Sequence, residues 1–171
     1  MKHHAISPLS TIARMMTFVV LATIVSGCGR GEPLGPRSLR KARETWLRTG
    51  IRSYDVEWTV SGPQTAGRVV HYRIAVRSGL PESVKVAQDN GTWIDVHTNK
   101  PEYFTIDGLF RTLEEELDQL DSPTPFGKPK GTSILLEFTP DDILGFPRKY
   151  RRDIVGVKPG LSINVIKFDK K

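Results

Sequence analysis

Four short runs between Tyr54 and Thr98 alternate apolar and polar residues, and little besides turn residues separates them. Tyr54, Val56, Trp58 and Val60 alternate with Asp55, Glu57 and Thr59. Val70, Tyr72, Ile74 and Val76 alternate with His71, Arg73, Ala75 and Arg77. Val84 and Val86 mark a third run, and Thr92–Thr98 (TWIDVHT) a fourth. A period of two puts every second side chain on the same face, so each run reads as a strand with one buried and one wet face. The connections are Ser61–Gly67, Gly79-Leu80-Pro81 and Asp89-Asn90-Gly91. None is long enough for the crossover that parallel neighbours need, so the four strands form an antiparallel meander.

Helical periodicity flanks this meander. Ser38 is placed to N-cap a helix that runs to about Thr49 and stops at Gly50. Leu39, Ala42, Trp46 and Leu47 form its apolar stripe, with Arg40, Lys41, Arg43 and Arg48 on the other faces. A second helix follows the N-cap Thr105, with Ile106, Leu109, Phe110, Leu113, Leu117 and Leu120 on one stripe. Phe104 and Leu109 sit where a hydrophobic staple would, and Asp107 suits the dipole of the first turn. Glu114, Glu115, Glu116 and Asp118 are expected mainly on its outer faces. After the loop Asp121–Gly131, strands are expected around Ile134–Phe138, Pro147–Asp153 and Gly160–Asp169. The order is helix, four strands, helix, three strands, with a hint of a duplicated helix-plus-meander unit. It predicts an α+β fold: an antiparallel sheet of six to seven strands with two α-helices packed on one face. A total of 171 residues suits a single domain, expected over residues 38–171.

The N-terminus reads as a targeting segment. Residues 1–27 carry Lys2 and Arg14 but no acid, and Met15–Val25 (MMTFVVLATIV) is uncharged and almost wholly apolar. That is the pattern of a secretory signal peptide, and the apolar run falls short of the roughly 20 residues a bilayer span needs. Val25-Ser26-Gly27-Cys28 resembles a bacterial lipobox. Cleavage is expected between Gly27 and Cys28, with the Cys28 thiol carrying the diacylglyceryl group. Residues 28–37 would then be a lipid-anchored tether. Two or three acyl chains anchor durably where one is marginal. Gly29 offers no acidic retention signal, which in a diderm host favours the outer membrane. Cys28 is also the only cysteine, which excludes an internal disulfide and multi-cysteine zinc or iron–sulfur sites.

The formal charge of +6 is unevenly placed. Residues 28–52 hold seven basic and two acidic residues, whereas residues 53–171 hold 16 basic and 17 acidic ones. The excess therefore lies beside the anchor. Arg37, Arg40, Lys41, Arg43 and Arg48 are expected to form a membrane-proximal basic contact, each contributing about 1 kcal/mol near an anionic surface. Export argues against a nucleic-acid partner, even for the dense run Arg148-Lys149-Tyr150-Arg151-Arg152. That run reads instead as a charged strand blunting a sheet edge.

Three residue sets bear on chemistry. His71 and His97 are the histidines left after processing, and Asp95 shares a strand face with His97 and Trp93. If the strands bearing them were neighbours, His71, His97 and Asp95 could make a metal or general-base site. The plainer reading is two solvent-facing histidines on a polar sheet face. Asp141-Asp142 with Asp153 lacks the alternating oxygen ligands of an EF-hand and reads as a capped turn. No GxSxG, HExxH, Walker or GxGxxG pattern occurs. The chain is accordingly expected not to be an enzyme and to need no cofactor beyond its covalent lipid.

The segments Trp46…Gly50-Ile51-Arg52-Ser53-Tyr54, Thr105-Ile106-Asp107-Gly108-Leu109-Phe110 and Leu135–Phe138…Gly145-Phe146-Pro147 resemble, in order and spacing, an uncharacterised domain family of bacterial secreted lipoproteins. The resemblance covers roughly residues 38–153. It implies a secreted or lipid-anchored protein without assigned activity. Many members carry paired cysteines after the first strand, where this chain has Ser61–Gly67, so no such disulfide is implied here. The expectation is a non-catalytic envelope lipoprotein that binds a protein partner or supports envelope assembly. The alternative is a periplasmic or surface hydrolase, or a metal-dependent enzyme, using His71, His97 and Asp95.

Overall fold

The computed structural model describes residues 31–171. The signal segment, the expected cleavage site and Cys28 lie outside the described residues. Two helices, α1 (Pro36–Arg48) and α2 (Ile106–Leu120), accompany eight strands. These are β1 (Glu32–Pro33), β2 (Tyr54–Ser61), β3 (Val70–Arg77), β4 (Leu80–Ala87), β5 (Trp93–Asp95), β6 (Ile134–Pro140), β7 (Pro147–Ile154) and β8 (Val157–Lys170). All eight form one antiparallel sheet in the order β1-β6-β7-β8-β2-β3-β4-β5. The fold is thus α+β, with one strand more than the expected six to seven.

The additional strand is β1, where Glu32 and Pro33 pair with Phe138 and Glu137. Its Gly/Pro-rich surroundings hid it, because two residues carry no detectable period. Leu34 is buried beside it, and its N–H donates to the Leu136 carbonyl at 2.9 Å. From Glu32 onward the expected tether of residues 28–37 is therefore part of the fold. The start of α1 also differs. Gly35, not Ser38, is the N-cap, and Pro36 occupies the first turn, where its missing N–H costs nothing. Ser38 instead closes that turn, accepting from the Gly35 N–H at 3.2 Å and donating to the Gly35 carbonyl at 3.1 Å.

The first meander runs as expected, with sharper turns. Arg77 pairs with Leu80, so Ser78 and Gly79, both at positive φ, make the two-residue turn, and Leu80-Pro81 belongs to β4. The two meanders join through β8, which pairs along β2. The chain from β5 to β6 thus passes from one edge of the sheet to the other side, and α2 lies on that path.

Both helices cover the face built by the apolar half of each strand. Tyr54, Val56, Trp58, Ile74, Val76, Val84, Phe138, Tyr150 and Val165 meet Leu39, Ala42 and Trp46 of α1 and Ile106, Leu109, Phe110 and Leu113 of α2 in one core. Trp46 is its hinge. Its ring meets Tyr54, Phe146 and Phe168 edge-on at centroid distances of 5.7, 6.4 and 5.8 Å. Its indole N–H donates to Asp107 Oδ1 at 3.3 Å. The Tyr54 hydroxyl accepts the Ile106 N–H at 2.9 Å while Thr105 Oγ1 accepts that of Gly108 at 3.0 Å, so two orphan donors of α2 are satisfied. Gly108 is required there, because a Cβ would lie 2.2 Å from the Glu102 carbonyl oxygen. Gly145, at φ +78°, lets the β6–β7 turn approach α1 to where a Cβ would be 2.6 Å from the Ala42 carbonyl oxygen. The segments Trp46–Tyr54, Thr105–Phe110 and Gly145–Phe146 thus meet at this joint.

Candidate functional site

The helices leave the opposite face of the sheet open, and the polar half of each strand decorates it. Register stacks these side chains into rows across the strands. Lys167, Glu57, Arg73, Lys85 and Asp95 form one row over β8, β2, β3, β4 and β5. Asp169, Asp55, Ala75 and Ser83 form the next. Ala75 and Ser83 are small, so they leave the floor of a depression of about 620 Å³ rimmed by Arg73, Arg77, Lys85, Lys167, Asp55 and Glu57.

Charges alternate around this rim and hold one another in place. Arg73 Nε donates to Glu57 Oε1 at 3.0 Å, and its guanidinium lies 4.2 Å from the Trp93 ring centroid. Arg77 Nη1 sits 2.9 Å from Asp55 Oδ1 and also donates to the Tyr54 carbonyl at 3.1 Å. Lys171 Nζ is 2.9 Å from Asp55 Oδ2. Burial pushes the Asp55 carboxyl up, but the Lys171 ammonium and the Arg77 guanidinium outweigh it and hold the group below its ordinary range. Lys167 pairs with Asp169 at 3.0 Å, which raises the lysine above its usual value. Arg73 and Lys85 are like charges directly opposite each other, an arrangement that costs stability. Lys85 turns toward Asp95, 3.9 Å away, and Arg73 toward Glu57 and Trp93.

The trio of His71, His97 and Asp95 that the alternative reading requires is not assembled. His71 lies on β3 with Nε2 3.0 Å from Glu57 Oε2, in contact but without hydrogen-bond alignment, and its ring meets Trp93 edge-on at 4.9 Å. Asp95 faces Lys85, and His97 is exposed beyond the end of β5. Among the described residues no three His, Cys, Asp or Glu side chains gather as a metal would require. The physical reason is register: β4 stands between β3 and β5, so the strands bearing the two histidines are not neighbours.

The basic run of β7 also takes a different role from the one its sequence suggests. β7 is interior, between β6 and β8, and so blunts no edge. Tyr150 and Arg152 point to the helix side. The Tyr150 hydroxyl donates to Glu116 Oε2 at 2.6 Å, and Arg152 Nη1 donates to both Glu116 oxygens at 2.7 Å. Burial first, and the bond to Glu116 second, push the Tyr150 phenol well above its ordinary value. Glu116 is thus turned inward, not outward, and pins α2 to the sheet. Arg151, on the open face, pairs with Asp153 at 2.6 Å. Asp141 accepts the Ile143 and Leu144 N–H groups at 3.1 and 2.9 Å, as a capped turn does.

The expected basic contact is placed on the outside of α1. Arg37, Arg40, Lys41 and Arg48 are exposed, whereas Arg43 turns sideways to pair with Glu114 of α2. Arg43 therefore belongs to the helix–helix contact rather than to the free basic face. Among the described residues no helix is long and apolar enough to cross a membrane.

Fold and site together define an open-faced α+β sheet protein, with two helices on one side and a charged face with a shallow depression on the other. The sequence matches no protein-family model, and no curated protein matches it.

Proposed function

We propose that this chain is an envelope lipoprotein, acylated on Cys28, that works by binding a protein partner through the helix-free face of its sheet and not by catalysis. The observation that carries the reading is the depression floored by Ala75 and Ser83 and rimmed by Arg73, Arg77, Lys85 and Glu57. A face of ordered, mutually paired charges suits a protein contact: Trp93 and Arg73 stack on the β5 side of the depression, with charged residues around them. The lipobox at Val25–Cys28 supports membrane attachment, and Gly29 supports the outer membrane if the host is diderm. The hydrolase or metal-enzyme alternative rests on His71, His97 and Asp95, which stand apart.

A photo-crosslinking residue at Ser83 tests the reading in cells. The expected outcome is a discrete, reproducible adduct that a second substitution, Arg73→Glu, abolishes, while the same crosslinker at Arg111 on α2 gives none. Adducts of equal yield from both positions would sink it. Membrane fractionation of Cys28→Ser tests the anchor separately: the variant should be recovered in the soluble fraction.

A further inference from the structure

We propose that the protein is mounted on an anionic bilayer through the outer stripe of α1, which turns the open sheet face away from the membrane. The proposal rests on the reading of Cys28 as the lipid anchor. Gly31 is seated on β6, close enough that a Cβ there would lie 3.2 Å from both Glu137 Cβ and Thr139 Oγ1. Three residue steps separate it from Cys28, a reach of about 10 Å at full extension. The anchored chain therefore holds the β1 edge close to the bilayer, and α1 begins three residues after β1 ends.

Charge then selects which surface beside that edge meets the lipid. At 3.6 residues per turn, Arg37 and Arg48 point away from the buried Leu39, Ala42 and Trp46, with Lys41 and Arg40 on the two flanks of that outward stripe. Glu44 is the one acid in that exposed stripe, and Leu47, 61% exposed, adds an apolar contact on its flank. The exposed positions of α2 carry the opposite sign: Asp107, Glu115 and Asp118 against Arg111. An anionic surface attracts α1 and repels α2, so the molecule tilts onto α1. Because α1 packs on the sheet face opposite the depression, this contact leaves Arg73, Lys85 and Trp93 facing outward. The occupant is a membrane surface rich in anionic lipid headgroups.

Acylation of the only cysteine leaves no free thiol, so one introduced cysteine reports one position in the lipidated protein. Glu44→Cys places a dye on the α1 stripe, and Asp95→Cys places it at the far edge of the open face. Each variant is reconstituted in phosphatidylglycerol vesicles that carry an energy-transfer acceptor on the headgroups. The expected result is a transfer ratio, Glu44 label over Asp95 label, well above one. It falls toward one in 1 M salt, which screens charges beyond about 3 Å while the acyl chains keep the protein bound. Equal transfer in low salt, or stronger transfer from Asp95, overturns the mounting. Mass spectrometry of the N-terminal peptide separates the two failures. An acylated chain with equal transfer overturns the mounting alone, and a chain without lipid removes both it and the anchor.

Discussion

Single residues here derive their roles from partners far along the chain. Glu116 is the sharpest case. In the sequence it sits in a run of three glutamates and reads as solvated helix surface. In the fold both it and Arg152 are 12% exposed, and the Tyr150 hydroxyl completes the pair. Removing one partner of such a pair leaves an uncompensated charge, so Glu116→Ala should cost about 3 kcal/mol in urea denaturation. Glu116→Gln, which keeps acceptors for Tyr150, should cost less. A variant with unchanged midpoint would show that the contact contributes nothing. Gly108 was legible as a helix residue but not as a required glycine, because its constraint comes from Glu102 in the preceding turn.

At the scale of elements, periodicity was enough for the long pieces. The stripe from Ile106 to Leu113 is buried as the spacing predicts, and β2 and β3 keep their alternation. Ends and short pieces were not legible. Leu47 and Leu120 belong to apolar stripes in the sequence but remain 61% and 37% exposed, Leu47 because it lies about 100° around α1 from the buried Trp46, and Leu120 because it is the last residue of α2. β1 consists of two residues, and its existence depends on β6 offering an edge. Leu34 locks it down, so Leu34→Ala should lower stability by about 2–4 kcal/mol. It should also speed amide exchange of Gly31–Leu34 beyond the global change. If exchange there followed only global unfolding, β1 would be no separate lock.

At the scale of the whole molecule, the four tyrosines share one property. Tyr54, Tyr72 and Tyr150 are raised above their ordinary value first by burial, and Tyr103 by its hydrogen bond to Glu115. A native group with a raised pKa stabilises the fold fully below the unfolded value of 10.0 and loses that contribution as pH climbs through the native one. Stability should therefore fall above pH 10, with tyrosinate absorbance rising together with the loss of structure. Absorbance from all four tyrosines titrating near 10 in a folded protein would contradict this. Taken alone, the sequence determined the α+β class, the two helices, the meanders and the polar half of β2 and β3, because these depend on local period and turn chemistry. It also carried the linear segment Val25–Cys28 on which the proposed lipid anchor rests. Only the tertiary structure decided the strand order, with β8 against β2 and β4 between the histidine strands, because register and neighbour choice depend on contacts between distant residues. That choice separated His71 from His97, turned Arg43 sideways to Glu114 and Glu116 inward, and gathered Glu57, Arg73, Lys85 and Trp93 around one depression.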